Sequence, residues 1–232
     1  MIFAMIAFLI VTMIALVIVS AAITNSKRIE KQRKYEQAYL TAQSIAGVVA
    51  DRIVDTSEDH KRHVNVTYQP GTDEGVSAEV ASGSDGFDEK FLSALKELCE
   101  ERQGEYSKKY LGSGTGETSD SDDSESGVVL ISLKKTEAKP IIPEEIDLDS
   151  SNLPDYVKNQ IGNTNITLYM PDVKNGASGY YDMVAQIDVP IDPSEPGRLY
   201  STQIKFTGAS KETDSDGNYE TDIWWEKATV IN

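Results

Sequence analysis

The sequence predicts an α+β protein in which one long N-terminal helix packs on an antiparallel β-sheet. Residues 1–24 carry no charge and are almost entirely apolar, and residues 25–56 continue with good helix formers that only Gly47 interrupts. Beyond residue 56, short alternating runs are separated by Gly, Pro, Asn and Asp, a pattern typical of antiparallel strands. The first two observations predict the helix, and the third predicts the sheet.

The uncharged run of residues 1–24 is long enough to cross a bilayer. At about 1.5 Å per residue it gives roughly 36 Å of helix, against a hydrocarbon core of about 30 Å. A cleavable signal peptide is the nearest alternative, but it carries a basic region before its apolar stretch. Residues 1–8 contain no basic side chain. We therefore expect a retained, single-pass membrane anchor.

The charges around the span leave its orientation open. Basic side chains follow it directly and none precedes it, so the positive-inside rule places the large domain in the cytoplasm. The alternative is that these charges serve a helix with a more specific role and that the domain lies outside the cell. The basic side chains are Lys27, Arg28, Lys31, Arg33 and Lys34.

Residues 25–56 are predicted to be the amphipathic continuation of the same helix. Apolar side chains recur there at spacings of three and four, which places them on one stripe of a helix of period 3.6. Small residues at four-residue intervals allow another element to approach the backbone closely. We expect the chain's own sheet to cover the stripe, and a juxtamembrane coiled coil is the alternative. The stripe consists of Tyr35, Ala38, Tyr39, Ala42, Ile45, Ala46, Val49 and Ile53.

Residues 57–232 are predicted to form an acidic α+β domain. Two shorter helices are expected, at about 87–102 and at about 154–161. Residues 112–126, GSGTGETSDSDDSES, lack large apolar side chains and are predicted to be a disordered loop. The expected strands are, in chain order, 63–68, 75–81, 127–134, 165–170, 180–189, 199–207 and 219–231.

The composition argues against several functions. With 38 acidic and 22 basic side chains the net charge is -16, so no nucleic acid contact is expected, because phosphate binding needs a basic face. The single cysteine, Cys99, excludes an intramolecular disulfide and is expected to be buried on a helix. His60 and His63 lie in a polar joint, and the sequence contains no phosphate loop and no nucleophile elbow. We therefore expect a protein that is not an enzyme.

One weak metal site can be read from the sequence. Glu212, Asp214 and Asp216 alternate and lead into a glycine, like the opening of a calcium loop. The twelfth position is Ile223, which supplies no bidentate acid, and a plain hairpin over 211–218 is the competing interpretation. No other cofactor is expected.

Two adjacent tryptophans stand near the C-terminus. In a strand, Trp224 and Trp225 point to opposite faces of the sheet. We expect one of them in the core and the other as an exposed surface anchor. A partner surface for the exposed indole is one alternative, since large exposed aromatic side chains are enriched in interfaces.

The N-terminal segment resembles type IV pilin-like proteins. An uncharged span that continues into YEQAYLTAQSIAGVVADRI is similar to minor pilins of the PilX type, in which a helix of the form QAxxxAxSxA follows the span. The resemblance covers residues 1–55, and the remainder follows only the general pilin layout. The matching positions are Gln37, Ala38, Ala42, Ser44 and Ala46.

The resemblance implies a structural minor pilin or pseudopilin of a Gram-positive type IV filament. Its partners would be other pilin subunits, the pilus assembly machinery and membrane lipid. It would be inserted in the cytoplasmic membrane with its domain outside the cell, and it would lie on a cell-surface filament once assembled. Two features depart from the pattern: no basic leader ending in glycine is seen before the span, and the first acid is Glu30. The missing early acid favours a minor or priming subunit. The alternative is a membrane-tethered extracytoplasmic binding or sensor domain that does not polymerise.

Overall fold

A computed structural model describes residues 2–56, 62–68, 76–80, 89–110, 132–141, 153–174, 179–195, 197–215 and 218–231. The helices are α1 (Ile2–Ile53), α2 (Glu89–Tyr110) and α3 (Asp155–Ile161). The strands are β1 (Val64–Tyr68), β2 (Val76–Val80), β3 (Lys139–Ile141), β4 (Asn165–Tyr169), β5 (Met183–Pro190), β6 (Leu199–Ser215) and β7 (Asn218–Ile231). They form one antiparallel sheet in the order β2-β1-β7-β6-β5-β4-β3. The predicted α+β class is confirmed.

The sheet curls around two helices. The second half of α1 packs on β5, β6 and β7 and against α3, in the middle of the sheet. The other long helix, α2, contacts β1 and β2 near one edge and β3 at the opposite edge. A helix reaches both edges only if the sheet is strongly curved. The buried side chains of the helices and strands form one main apolar cluster on the concave side. We call the described residues after α1 the head.

Successive side chains of β5 point alternately to the two faces of the sheet. Met183, Ala185 and Ile187 are fully buried in the core. Between them Gln186 points to the opposite face, where its amide donates to the carboxylate of Asp188 at 3.0 Å. This alternation is the expected behaviour of a strand with one face on the core.

The β6–β7 hairpin is longer than predicted. Residues expected to form its connection are strand instead, since Lys211 pairs with Asp222 and Ser215 pairs with Asn218. Their acids and serines are poor strand formers, but ladder hydrogen bonds to β7 hold them extended. The hairpin pairing of β6 with β7 is confirmed, and residues 216–217 lie outside the described ranges.

Three further elements differ from the predictions. Helix α2 continues to Tyr110 rather than ending at about residue 102. Of the predicted strand 127–134, residues 132–134 are described, and there Leu133 alone forms an isolated bridge, to Val173. Strand β3 was not predicted; its Pro140 donates no hydrogen bond and is tolerated because β3 lies at the edge of the sheet. The predicted loop 112–126 lies outside the described residues.

Candidate functional site: the N-terminal helix and its junction with the head

The first half of α1 is exposed on all sides. Every large apolar side chain from Ile2 to Ile23 is between 50% and 89% exposed. Within the described ranges, α1 is the one helix long and apolar enough to cross a membrane, and its most apolar window is not buried by any other part of the protein. By length and composition this half of the helix is therefore a candidate single-pass membrane anchor.

The head first contacts α1 at Lys34. The ammonium of Lys34 donates to Asp192 Oδ2 at 2.8 Å and lies 3.2 Å from Glu30 Oε1. The other oxygen of Asp192 accepts from the backbone N–H and the hydroxyl of Ser194 at 3.0 and 2.7 Å. These donors, Lys34 first, hold the pKa of Asp192 well below its usual range, and the same ion pair raises the pKa of Lys34. The turn after β5 is thereby fastened to the helix.

An aromatic cluster lies just above this ion pair. Tyr200, the second residue of β6, receives the rings of Tyr35 and Tyr39 edge to face, with centroid distances of 5.5 and 5.6 Å. Perpendicular rings at this spacing are a favourable arrangement. The two tyrosines of the stripe therefore bind the helix to the start of β6.

The rest of the stripe lies in the centre of the core. Its six remaining members are at most 1% exposed and belong to the main apolar cluster together with β5 and β6. Thr41, which sequence reasoning did not single out, is buried beside them. The stripe is covered by the chain's own sheet and by α3. Those six members are Ala38, Ala42, Ile45, Ala46, Val49 and Ile53.

The C-terminal end of α1 is fixed to the sheet by one arginine and one bridge. Arg62 Nη1 donates to the carbonyl oxygens of Asp51 and Val54 at 2.7 and 3.3 Å, which satisfies carbonyls that a helix end leaves open. The backbone N–H of Asp55 donates to the Trp225 carbonyl at 2.9 Å. The helix therefore ends on β7, and both ends of its second half are held by the head.

A crowded contact surrounds the tryptophan of β7 that faces the core. Trp225 is 1% exposed, and its indole N–H donates to the Tyr181 carbonyl at 2.9 Å. Gly208 is paired with Trp225 at the β-bulge. It lies so close to the backbone of Tyr181 that a Cβ atom on it would be 2.2 Å from the Tyr181 carbonyl oxygen. The N–H of Gly208 donates to Asp182 Oδ1 at 3.1 Å, and Lys205 Nζ lies 3.0 Å from the other oxygen of Asp182. Glycine is required here because the backbone of residue 181 occupies the side-chain position.

A buried polar network attaches α2 to the rest of the core. Arg102 donates to the carbonyls of Lys134 and Pro171 at 3.0 and 2.7 Å. The hydroxyl of Tyr181 donates to the side-chain oxygen of Gln103. Burial lowers the pKa of Arg102 and raises that of Tyr181. These groups join segments far apart in sequence, which is a structural role, and no local pattern in the sequence indicates it.

Three other predicted residues can be placed. Cys99 is fully buried, as predicted, and burial raises the pKa of its thiol, which disfavours the reactive thiolate. The prediction that one tryptophan is an exposed anchor is wrong: Trp224 is only 9% exposed, and its indole donates to Glu226 at 3.1 Å. His63 lies 3.6 Å from Asp222 on β7.

The calcium candidate stays a prediction. Glu212 and Asp214 lie in β6, paired with Thr221 and Tyr219, and Asp216 lies outside the described residues. In the part of the chain that the structure describes, no three His, Cys, Asp or Glu side chains are grouped closely enough to hold a metal ion.

Replacing Asp192 tests the ion pair at the foot of the head. We expect Asp192→Asn to lower the melting temperature of the full chain in detergent at pH 7, and we expect the difference to shrink steadily as the pH falls below about 3.9. The pKa of Asp192 is depressed in the folded state, so its contribution is present above the unfolded value of about 3.9 and is lost as the pH falls. Thermal unfolding of both proteins across pH 2–8 measures this difference, and a constant difference at all pH values would contradict the assignment.

Comparison of the chain with protein families, with characterised proteins and with solved structures finds no match. The geometry of α1 and its junction with the head is therefore the basis for assigning a function.

Proposed function

We propose that the chain is a structural, non-enzymatic minor subunit of a type IV pilus or a related filament, held in the cytoplasmic membrane with its head outside the cell before assembly. The observation that supports this proposal is the continuity of α1. One unbroken helix runs from Ile2 to Ile53; its first half is exposed and apolar, and its second half lies in the core of the head.

The physical chemistry of α1 suits a helix that moves from lipid into an assembly. A helix that is apolar on all sides can exchange lipid contacts for contacts with similar helices at little cost, because lipid tails and apolar side chains bury it equally well. Whether such helices associate then depends on how well they pack against each other. In such an assembly, tension on the first half of α1 would reach the head through the stripe and through the Lys34–Asp192 pair. A fastened junction of this kind is what a filament under tension requires.

A tethered binding or sensor domain that never polymerises is the competing function. That function needs a span and a linker, and it gives no reason for the anchor helix to end inside the core of the domain. The two functions differ in one measurable respect, which is whether the first half of α1 contacts the helices of neighbouring filament subunits outside the membrane.

A cysteine in the apolar half of α1 tests this contact. In cells carrying Leu16→Cys with a photoactivatable cross-linker on the introduced thiol, we expect filaments sheared from the surface to contain this chain joined to a neighbouring subunit. The natural Cys99 is buried, so the introduced thiol is the one that reacts. Cells without the assembly ATPase are the matched control and should release no such cross-linked product. If the chain stays in the membrane fraction under piliating conditions, the filament proposal fails and the tethered domain is favoured.

The side of the membrane on which the head lies needs its own measurement. Lys211 is exposed on β6, and a membrane-impermeant maleimide should label Lys211→Cys in intact cells if the head is outside. Labelling that requires cell lysis would place the head in the cytoplasm, as the positive-inside rule indicates.

A further inference from the structure

The basic residues that follow the span occupy a defined height above the membrane. Because α1 is unbroken, each residue advances about 1.5 Å along its axis. Lys27 and Arg28 therefore lie about 5 Å beyond Thr24, the last residue of the uncharged run, and Lys31 and Arg33 lie about 10–14 Å beyond it. The headgroup layer on each side of a bilayer is about 5–7 Å thick. The lower two reach lipid headgroups directly, and the upper two lie within about one Debye length of them.

These four side chains are exposed and point in several directions. Lys27, Arg28, Lys31 and Arg33 are all exposed in the folded protein, and at about 100° per residue they spread around the helix. Glu30, the acid that lies among them, pairs with Lys34 at 3.2 Å. The ring of four cations, which we call the collar, is therefore open to lipid from more than one side.

The rest of the chain carries the opposite net charge. Residues 25–36 contain five basic and two acidic side chains, whereas residues 37–232, which include the second half of α1 and residues outside the described ranges, contain 17 basic and 36 acidic ones, a net charge of -19. The first contact of the head with α1 is at Lys34, about 15 Å beyond Thr24. At a Debye length of about 8 Å, repulsion between acids at the height of this contact and an anionic surface is largely screened. The collar cations are the charges of α1 that lie closest to the headgroups.

We infer that Lys27, Arg28, Lys31 and Arg33 recruit anionic phospholipid headgroups to the foot of the protein. A basic side chain near a bilayer surface favours an anionic over a zwitterionic lipid about fivefold. The inference does not depend on filament assembly, because the collar meets a bilayer surface whichever way the span is oriented. A shell of anionic lipid would form around each copy while it remains in the membrane.

Spin-labelled lipids measure this preference directly. The full chain is placed in nanodiscs of phosphatidylcholine with about one fifth phosphatidylglycerol, a composition that supplies anionic headgroups to the collar. The motionally restricted fraction is then recorded for a labelled lipid of each class. We expect a several-fold preference for phosphatidylglycerol that falls in high salt. In the variant K27Q/R28Q/K31Q/R33Q the preference should fall to near one.

Two control variants make the result specific. K158Q/K174Q/K211Q/K227Q removes the same charge from exposed sites on the head and should keep the preference, as should the charge-conserving variant K27R/R28K/K31R/R33K. Equal affinity of the unaltered chain for both lipids would overturn the inference, and so would a preference that survives in the glutamine collar variant. If the collar variant instead loses self-association while no lipid preference exists, the collar binds the acidic head of a second copy, and the lipid inference is wrong.

Discussion

Gly208→Ala is expected to lower the free energy of unfolding of the head by about 3 kcal/mol. A Cβ atom at this position would lie 2.2 Å from the Tyr181 carbonyl oxygen, which is backbone and cannot rotate away. That oxygen also accepts the indole hydrogen bond of Trp225 at 2.9 Å, so moving it disturbs a second interaction. Urea denaturation of the full chain in detergent measures the change through tryptophan fluorescence, because Trp225 stands beside the substitution.

Gly47→Ala is the matched control for this prediction. Gly47 is exposed on α1, and no atom lies within 4 Å of the place where its Cβ would stand. Alanine there removes the cost of glycine in a helix and should raise stability by up to about 1 kcal/mol. The two substitutions should thus have opposite signs. A loss at Gly208 no larger than a few tenths of a kcal/mol would mean that the contact with residue 181 is not present in solution.

Local patterns were sufficient to predict the elements that have a clear apolar period. The buried positions of α1 recur at helical spacing, so the stripe from Ala38 to Ile53 could be read directly. Strands β5 and β7 have alternating apolar residues bounded by turn residues, and their bounds differ from the predicted ones by a few residues. Each of these elements packs one face on the core, and this produces both the apolar period in the sequence and the burial in the structure.

Elements fixed by distant contacts could not be predicted in the same way. The segment around Pro140 has no alternation and becomes strand β3 only because β4 is next to it. In the sequence, Arg102 and Gln103 resemble the polar end of a helix. Both are buried in the structure, because they donate hydrogen bonds to acceptors more than 30 residues away in the chain. No local sequence pattern indicates that Asp192 and Tyr200 contact α1. A single sequence carries no information about such pairings.

The stripe had two interpretations in the sequence, and they lead to opposite expectations for substitutions. If the stripe packs on the chain's own sheet, small residues are required where the helix backbone approaches β5 and β6. If the stripe were the seam of a coiled coil between copies, larger apolar residues would strengthen it. The structure places Ala42 in the core with no exposed surface. A substitution that enlarges this residue therefore separates the two interpretations in solution.

Ala42→Leu is expected to lower the free energy of unfolding by about 2–3 kcal/mol, because the added atoms must displace a packed helix from the sheet. Gln43→Leu is the control, since it adds the same side chain to the exposed face of the same turn and should change stability by no more than about 0.5 kcal/mol. Urea denaturation and cross-linking in dilute detergent are measured together. A gain in stability for Ala42→Leu that grows with protein concentration would show that the stripe joins copies of the chain. The expected loss of stability, if it does not depend on protein concentration, would show that the stripe packs within one copy of the chain. The apolar half of α1 would then be the surface that a filament uses.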